Sequence, residues 1–182
     1  NGPVSLFMDT VLSAGAGDII FTNDSPVDSQ GTEQNSLTLT AGEGAVRFNE
    51  NIGETEALDA LSVTRADGGV VFGEADSETP GSGATGPVNV VNAEGDIDIG
   101  TAAAITGGVV LNGGVIPVAQ QMTLSMTGGA IRFNGPVTLG AQVSLDTSSG
   151  GGNVIFTRHA SVDSDSDEAN ELRIAAGSGG VA

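Results

Sequence analysis

The sequence predicts an all-β chain folded as a right-handed parallel β-helix, with about three short strands per coil of roughly 22–27 residues and about 7–8 coils. Two repeats carry the prediction. In the shorter one, five of the six phenylalanines close a glycine-led apolar stretch: Gly17–Phe21, Gly44–Phe48, Gly68–Phe72, Gly129–Phe133 and Gly152–Phe156. Gly95–Ile99 and Gly107–Leu111 keep the pattern with an aliphatic last residue. The steps from 21 to 48, 72 and 99 are 27, 24 and 27 residues, and those from 111 to 133 and 156 are 22 and 23. Units of this size cannot bury their own apolar face and must stack. In the longer repeat, Gly2-Pro-Val-Ser-Leu6 returns as Gly135-Pro-Val-Thr-Leu139, offset by 133, and Leu37–Val46 aligns with Leu172–Val181, offset by 135. Residues 1–182 therefore read as one solenoid segment of a longer array, with the module at 1–47 recurring at 134–182.

The strands follow from alternation. In Leu37–Thr40, Met122–Ser125, Val143–Leu145 and Leu172–Ile174, apolar and polar residues swap at every position, so one side is buried and the other wet. The clearest unit, 135–156, holds Val137–Leu139, Val143–Leu145 and Asn153–Phe156, separated by short glycine-containing corners. Nowhere do ten residues show a capped 3.6-residue period, so helix is not expected. Stacking at ~4.8 Å per coil is expected to put the five repeated phenylalanines in one inward column on one face. It should also line up Asn49, Asn112 and Asn134 as a ladder at one corner, and point Arg47 and Arg132 outward from one face. The glycines before these strands are expected to serve corners that need positive φ. Two regions break the rhythm. Residues 73–87 form a long polar loop, and Ile99 to Leu111 spans only half a coil, with strands placed near 109–111 and 115–118.

Composition agrees with a thin, repetitive interior. Aromatic residues are 3% of the chain, Cys, Trp and Tyr are absent, and 29 of 182 residues are glycine. Regular alternation with 38% hydrophobic residues argues against disorder. All five basic residues are arginines, against 23 acidic residues, for a net charge of −18. That excludes nucleic acid and an anionic membrane surface as partners, and no run of ~20 apolar residues is present for membrane insertion. With no lysine, neither a phosphate-loop lysine nor an isopeptide staple is available. The chain shows no initiator methionine or signal peptide and reads as a piece of a longer array.

The run Pro26–Asn49, leading into Ile52–Thr64, together with Asn134–Leu145, resembles the β-strand repeats of very large bacterial surface proteins. These are the filamentous-haemagglutinin-like and related adhesins exported by two-partner or autotransporter routes. The resemblance implies an extracellular or cell-surface location and a structural, adhesive or biofilm role. It implies as partners neighbouring repeats of the same chain, other copies alongside, and glycans of a host or neighbouring cell.

One segment has metal-ligand chemistry. In Val162–Glu168, Asp163, Asp165 and Asp167 offer alternate carboxylates, hard oxygens of the kind calcium takes. It is not an EF-hand, because Glu168 occupies the turn-glycine position and Ile174 that of the bidentate Glu. The other module copy, Val27–Glu33, keeps Asp28 and Glu33 but lacks the middle acids. Other motifs read as structure. Gly81–Gly86 has dinucleotide-type glycine spacing but follows Glu-Thr-Pro and precedes a strand. His159, the single histidine, sits in a turn with no nucleophile beside it, and no GxSxG occurs. Asn23-Asp-Ser25 is a formal glycosylation sequon. The expected function is therefore a stiff stalk or adhesive filament and not an enzyme. The alternatives are a calcium-binding extracellular repeat protein and, less favoured, a polysaccharide-acting β-helix enzyme built on paired carboxylates.

Overall fold

The structure, a computed structural model, describes residues 2–22, 24–31, 33–73, 88, 90–93, 97–100, 109–111, 121–165 and 169–182. Within these residues the chain is all β with no helix, and its strands stack in parallel as a solenoid. The first coil holds β1 (Val4–Leu6), β2 (Thr10–Ser13) and β3 (Ile19–Phe21), and the second β4 (Val27–Ser29), β5 (Leu37–Gly42) and β6 (Val46–Phe48). In the third, the isolated bridge of Ile52 takes the place of a first strand, followed by β7 (Leu61–Ala66) and β8 (Val70–Phe72). Next come β9 (Val90–Ala93), β10 (Ile97–Ile99) and β11 (Val109–Leu111), then β12 (Gln121–Met126), β13 (Ile131–Phe133) and β14 (Val137–Leu139). β15 (Gln142–Asp146), β16 (Val154–Phe156) and β17 (Val162–Ser164) form the sixth coil, and β18 (Leu172–Ala175) begins another.

Every coil visits three faces in the same order. The first carries β1, β4, Ile52, β9, β12, β15 and β18; the second carries β2, β5, β7, β10, β13 and β16; the third carries β3, β6, β8, β11, β14 and β17. The second and third faces are each six strands deep. That gives five coil-to-coil steps, fewer than the seven to eight coils expected, because residues 73–120 hold only one coil of described strands. The predicted strand at 109–111 is β11, whereas 115–118 and the loop from 74 to 87 lie outside the described residues.

Alternation works as the sequence implies. In β6, Val46 and Phe48 are fully buried and Arg47 is exposed. In β5, Leu37, Leu39 and Ala41 point in while Thr38 and Thr40 lie toward solvent. Parallel register puts like upon like: Leu37 beneath Leu61, Val46 beneath Val70, Phe48 beneath Phe72. The core is thus a set of short apolar columns, and the backbone ladders running between coils satisfy the polar groups of each strand.

The phenylalanine column is split, correcting the expectation of a single face. Phe21, Phe48 and Phe72 stack on the third face with centroids 5.0 and 5.1 Å apart. Phe133 and Phe156 stack on the second face, 5.6 Å apart, above Ile99. Arg47 and Arg132 consequently sit on different faces, on β6 and β13. Asn49 and Asn134 lie at different corners and form no common ladder, and Asn112 lies outside the described residues. The cause is the length of the module. From β1 to its repeat β14 the chain passes fourteen face positions, counting Ile52 as one, which is four coils and two further faces. A sequence repeat that is not a whole number of coils returns one face round.

What survives that rotation is the local hydrogen bonding. The buried Asn35 donates its side-chain amide to the Leu6 carbonyl at 2.9 Å and takes a bond from its own backbone N–H to the Ser29 hydroxyl at 2.9 Å. In the second copy Asn170 donates to the Leu139 carbonyl at 2.9 Å and its backbone N–H donates to the Ser164 hydroxyl at 3.0 Å. Each asparagine ties its corner to the coil beneath. Asn35→Ala leaves the Leu6 carbonyl without this donor in a buried corner. It is expected to cost about 1–3 kcal/mol, measured by equilibrium urea unfolding.

Candidate functional site

The acidic segment lies at one end of the stack. Asp163 is the middle residue of β17, paired with Thr138 of β14, and its side chain points outward and is exposed. Asp165, also exposed, donates its backbone N–H to the Leu139 carbonyl at 3.0 Å. Alternation sends both aspartates to the wet side while Val162 and Ser164 turn inward. Asp167 lies outside the described residues. Among the described residues, no three His, Cys, Asp or Glu side chains come together as a metal-binding group.

The first module copy shows a use for the same aspartate. Asp28, the equivalent of Asp163 in β4, accepts through Oδ1 the backbone N–H groups of Thr55 at 3.0 Å and Glu56 at 3.3 Å, both in the next coil. Three more side chains do the same. Asp9 accepts from the Ser36 N–H at 2.9 Å, Asp18 from the Ala45 N–H at 2.8 Å, and Asn153 from the Gly180 N–H at 2.8 Å. All four acceptors stand 27 residues before their donor, one coil down. The carboxylates of these corners therefore act as caps for turn amides that the ladder does not reach. Sequence reasoning missed them, although the 135-residue offset pairing Asp18 with Asn153 was a usable signal. Because an asparagine makes this bond in the second copy, Asp18→Asn is expected to leave stability nearly unchanged. Asp18→Ala is expected to lose about 0.5–1.5 kcal/mol, and the two thermal midpoints check the contrast.

Two further aspartates are held charged by local partners. The Ser148 hydroxyl and backbone N–H, at 2.6 and 2.9 Å, hold the Asp146 carboxyl below the usual aspartate range, and the Arg65 guanidinium does the same for Asp67. A carboxyl depressed in the folded state adds stability that is complete above its unfolded value and is lost as pH falls through the folded one. Stability is thus expected to drop below about pH 4, and Asp146→Asn to flatten that drop in an acid titration of the thermal midpoint.

His159 lies in an exposed turn after β16, accepting at Nε2 from Arg158 Nε at 3.1 Å. Phe7, Met8, Val11 and Ile20, all in the first coil, are the notable apolar side chains left in solvent there. Phe7 is the sixth phenylalanine, the one outside the repeat phase. Gly81–Gly86 and Asn23 lie outside the described residues. No helix among the described residues is long and apolar enough to cross a membrane. A scan against protein-family models and searches for similar curated proteins and solved structures found no match.

Proposed function

We propose that this chain is a structural and adhesive segment of a secreted or cell-surface bacterial filament or stalk. The observation that carries the reading is the uninterrupted parallel ladder: two faces six strands deep, each strand bonded to the coil above and below. Load along such a stack is shared by many backbone hydrogen bonds per coil, and its length grows with coil number. The outward positions bear mostly polar and acidic residues, and a net charge of −18 keeps rods apart in solution. The repeat texture shared with filamentous-haemagglutinin-like adhesins supports the location. Antibodies raised against the chain are expected to label intact source cells in immuno-electron microscopy. Labelling that requires lysis first would overturn the surface location.

A further inference from the structure

We infer that the edge formed by β17, β18 and Val181 is a docking surface for one more β-coil with the sequence of residues 48–73, and that Asp163 caps that coil's backbone. The argument compares two copies of one surface, one covered and one not. Val27, Ser29, Leu37 and Leu39 are 1%, 3%, 1% and 0% exposed, because the coil of Ile52, β7 and β8 lies over them. Their equivalents 135 residues on, Val162, Ser164, Leu172 and Ile174, are all only half-buried, and Val181, the equivalent of the fully buried Val46, is 58% exposed. Each turns the same apolar side chain, or in Ser164 the same hydroxyl, to the interior.

The polar groups match as well. Ser29 and Ser164 each accept from the backbone of an equivalent asparagine, so the two corners have one geometry. In the covered copy the backbone N–H groups of Val27 and Ser29 donate upward to the Asn51 and Glu56 carbonyls, both at 3.1 Å, and Asp28 receives the Thr55 and Glu56 amides. The uncovered copy offers the Val162 and Ser164 amides and the Asp163 carboxylate for the same bonds. What fits is therefore a segment with isoleucine over Val162, Leu-Ser-Val over β18 and two consecutive turn amides over Asp163, which residues 52–63 supply. It seats one face round from its resident copy, with its Ile52 on the third face instead of the first. This role gives the candidate calcium residue Asp163 a backbone partner. It needs only coil stacking and the repeat, so it stands apart from the adhesive reading.

The test extends the chain in cis. Ala182 occupies the position of Arg47, so a second copy of residues 48–73 is joined directly after it. Amide hydrogen exchange is then read at Val162 and Ser164 in the parent, the extended chain and a chain extended with a scrambled version of those residues. Protection is expected to rise roughly tenfold or more at both amides with the native extension and to stay at the parent level with the scrambled one. Asp163→Ala in the extended chain should lose part of the gain and Asp163→Asn should keep it. Equal protection with the scrambled extension, or none with the native one, overturns the docking surface. A gain untouched by Asp163→Ala overturns the cap. A rise in the parent chain on adding millimolar calcium chloride alone, reversed by chelator, gives the aspartate to a cation instead.

Discussion

Phe48→Ala is expected to destabilise the coils around it by about 3–5 kcal/mol. Phe48 is fully buried between two parallel rings, Phe21 at 5.0 Å below and Phe72 at 5.1 Å above. Removing it opens a cavity in the middle of a column. The strands around that cavity are held at fixed spacing by ladders to β3 and β8, so they cannot collapse to fill it. The same change at Phe156 should cost less, because that ring sits at the end of the second-face stack and is only half-buried. Each coil touches only its neighbours, so the loss should be local. Hydrogen exchange is expected to show weakened protection in β3, β6 and β8 with β13 to β15 little changed. Uniform loss along the stack would contradict the column as the unit of stability.

Gly44→Ala and Gly152→Ala are expected to be more disruptive than any surface change, while Gly17→Ala should be tolerated. These glycines open the repeated strands. None of Gly17, Gly44, Gly68, Gly152 and Gly179 has a left-handed φ, which corrects the expectation that positive φ required them. Their reason is the closeness of the coil beneath. A Cβ on Gly68 would fall 2.9 Å from the Gly44 carbonyl carbon, one on Gly152 2.6 Å from that of Gly129, and one on Gly179 2.6 Å from that of Gly152. At Gly44 it would come within 2.9 Å of the Asp18 nitrogen and nearer still to the Gly17 carbonyl. The obstacle is backbone, fixed by ladders on both sides, so the corner must separate or the strands shift. Overpacking of this kind costs about 1–3 kcal/mol or more. Gly17 lies in the first coil, where an added Cβ meets nothing closer than the Ala14 carbonyl oxygen at 3.6 Å. Denaturation midpoints of the three variants check the contrast, and equal losses at 17 and 44 would rule out inter-coil closeness as the reason.

Strand identity was legible in the residues because it is local. Period-two alternation in Leu37–Thr40, Val143–Leu145 and Leu172–Ile174 sets which side chains are buried wherever the strand ends up, and β5, β15 and β18 obey it. The recurrence of glycine-led strands was enough for a parallel stack, since such units have no other way to bury their apolar side. The candidate site was legible only as chemistry: acidic residues at corners were visible, but not that Asp9, Asp18 and Asp28 spend their carboxylates on amides one coil away. A contact between residues 27 apart appears only once coils are in register.

Face assignment belonged to the tertiary structure alone. Which face a strand occupies depends on how many corners the chain has turned before it, a cumulative quantity that no short motif encodes. One residue, Ile52, bridging Val27 to Val91 where a full strand was expected, counts as a whole face. Ile99 and Leu111 share a motif yet lie on adjacent faces of one coil. Those positions carry the module one face round, divide the phenylalanines into two stacks, and place Val162–Ser164 on the third face while its twin Val27–Ser29 lies on the first. Alternation chose the inside and outside of every strand; only the closing of successive coils upon one another could choose its side of the rod.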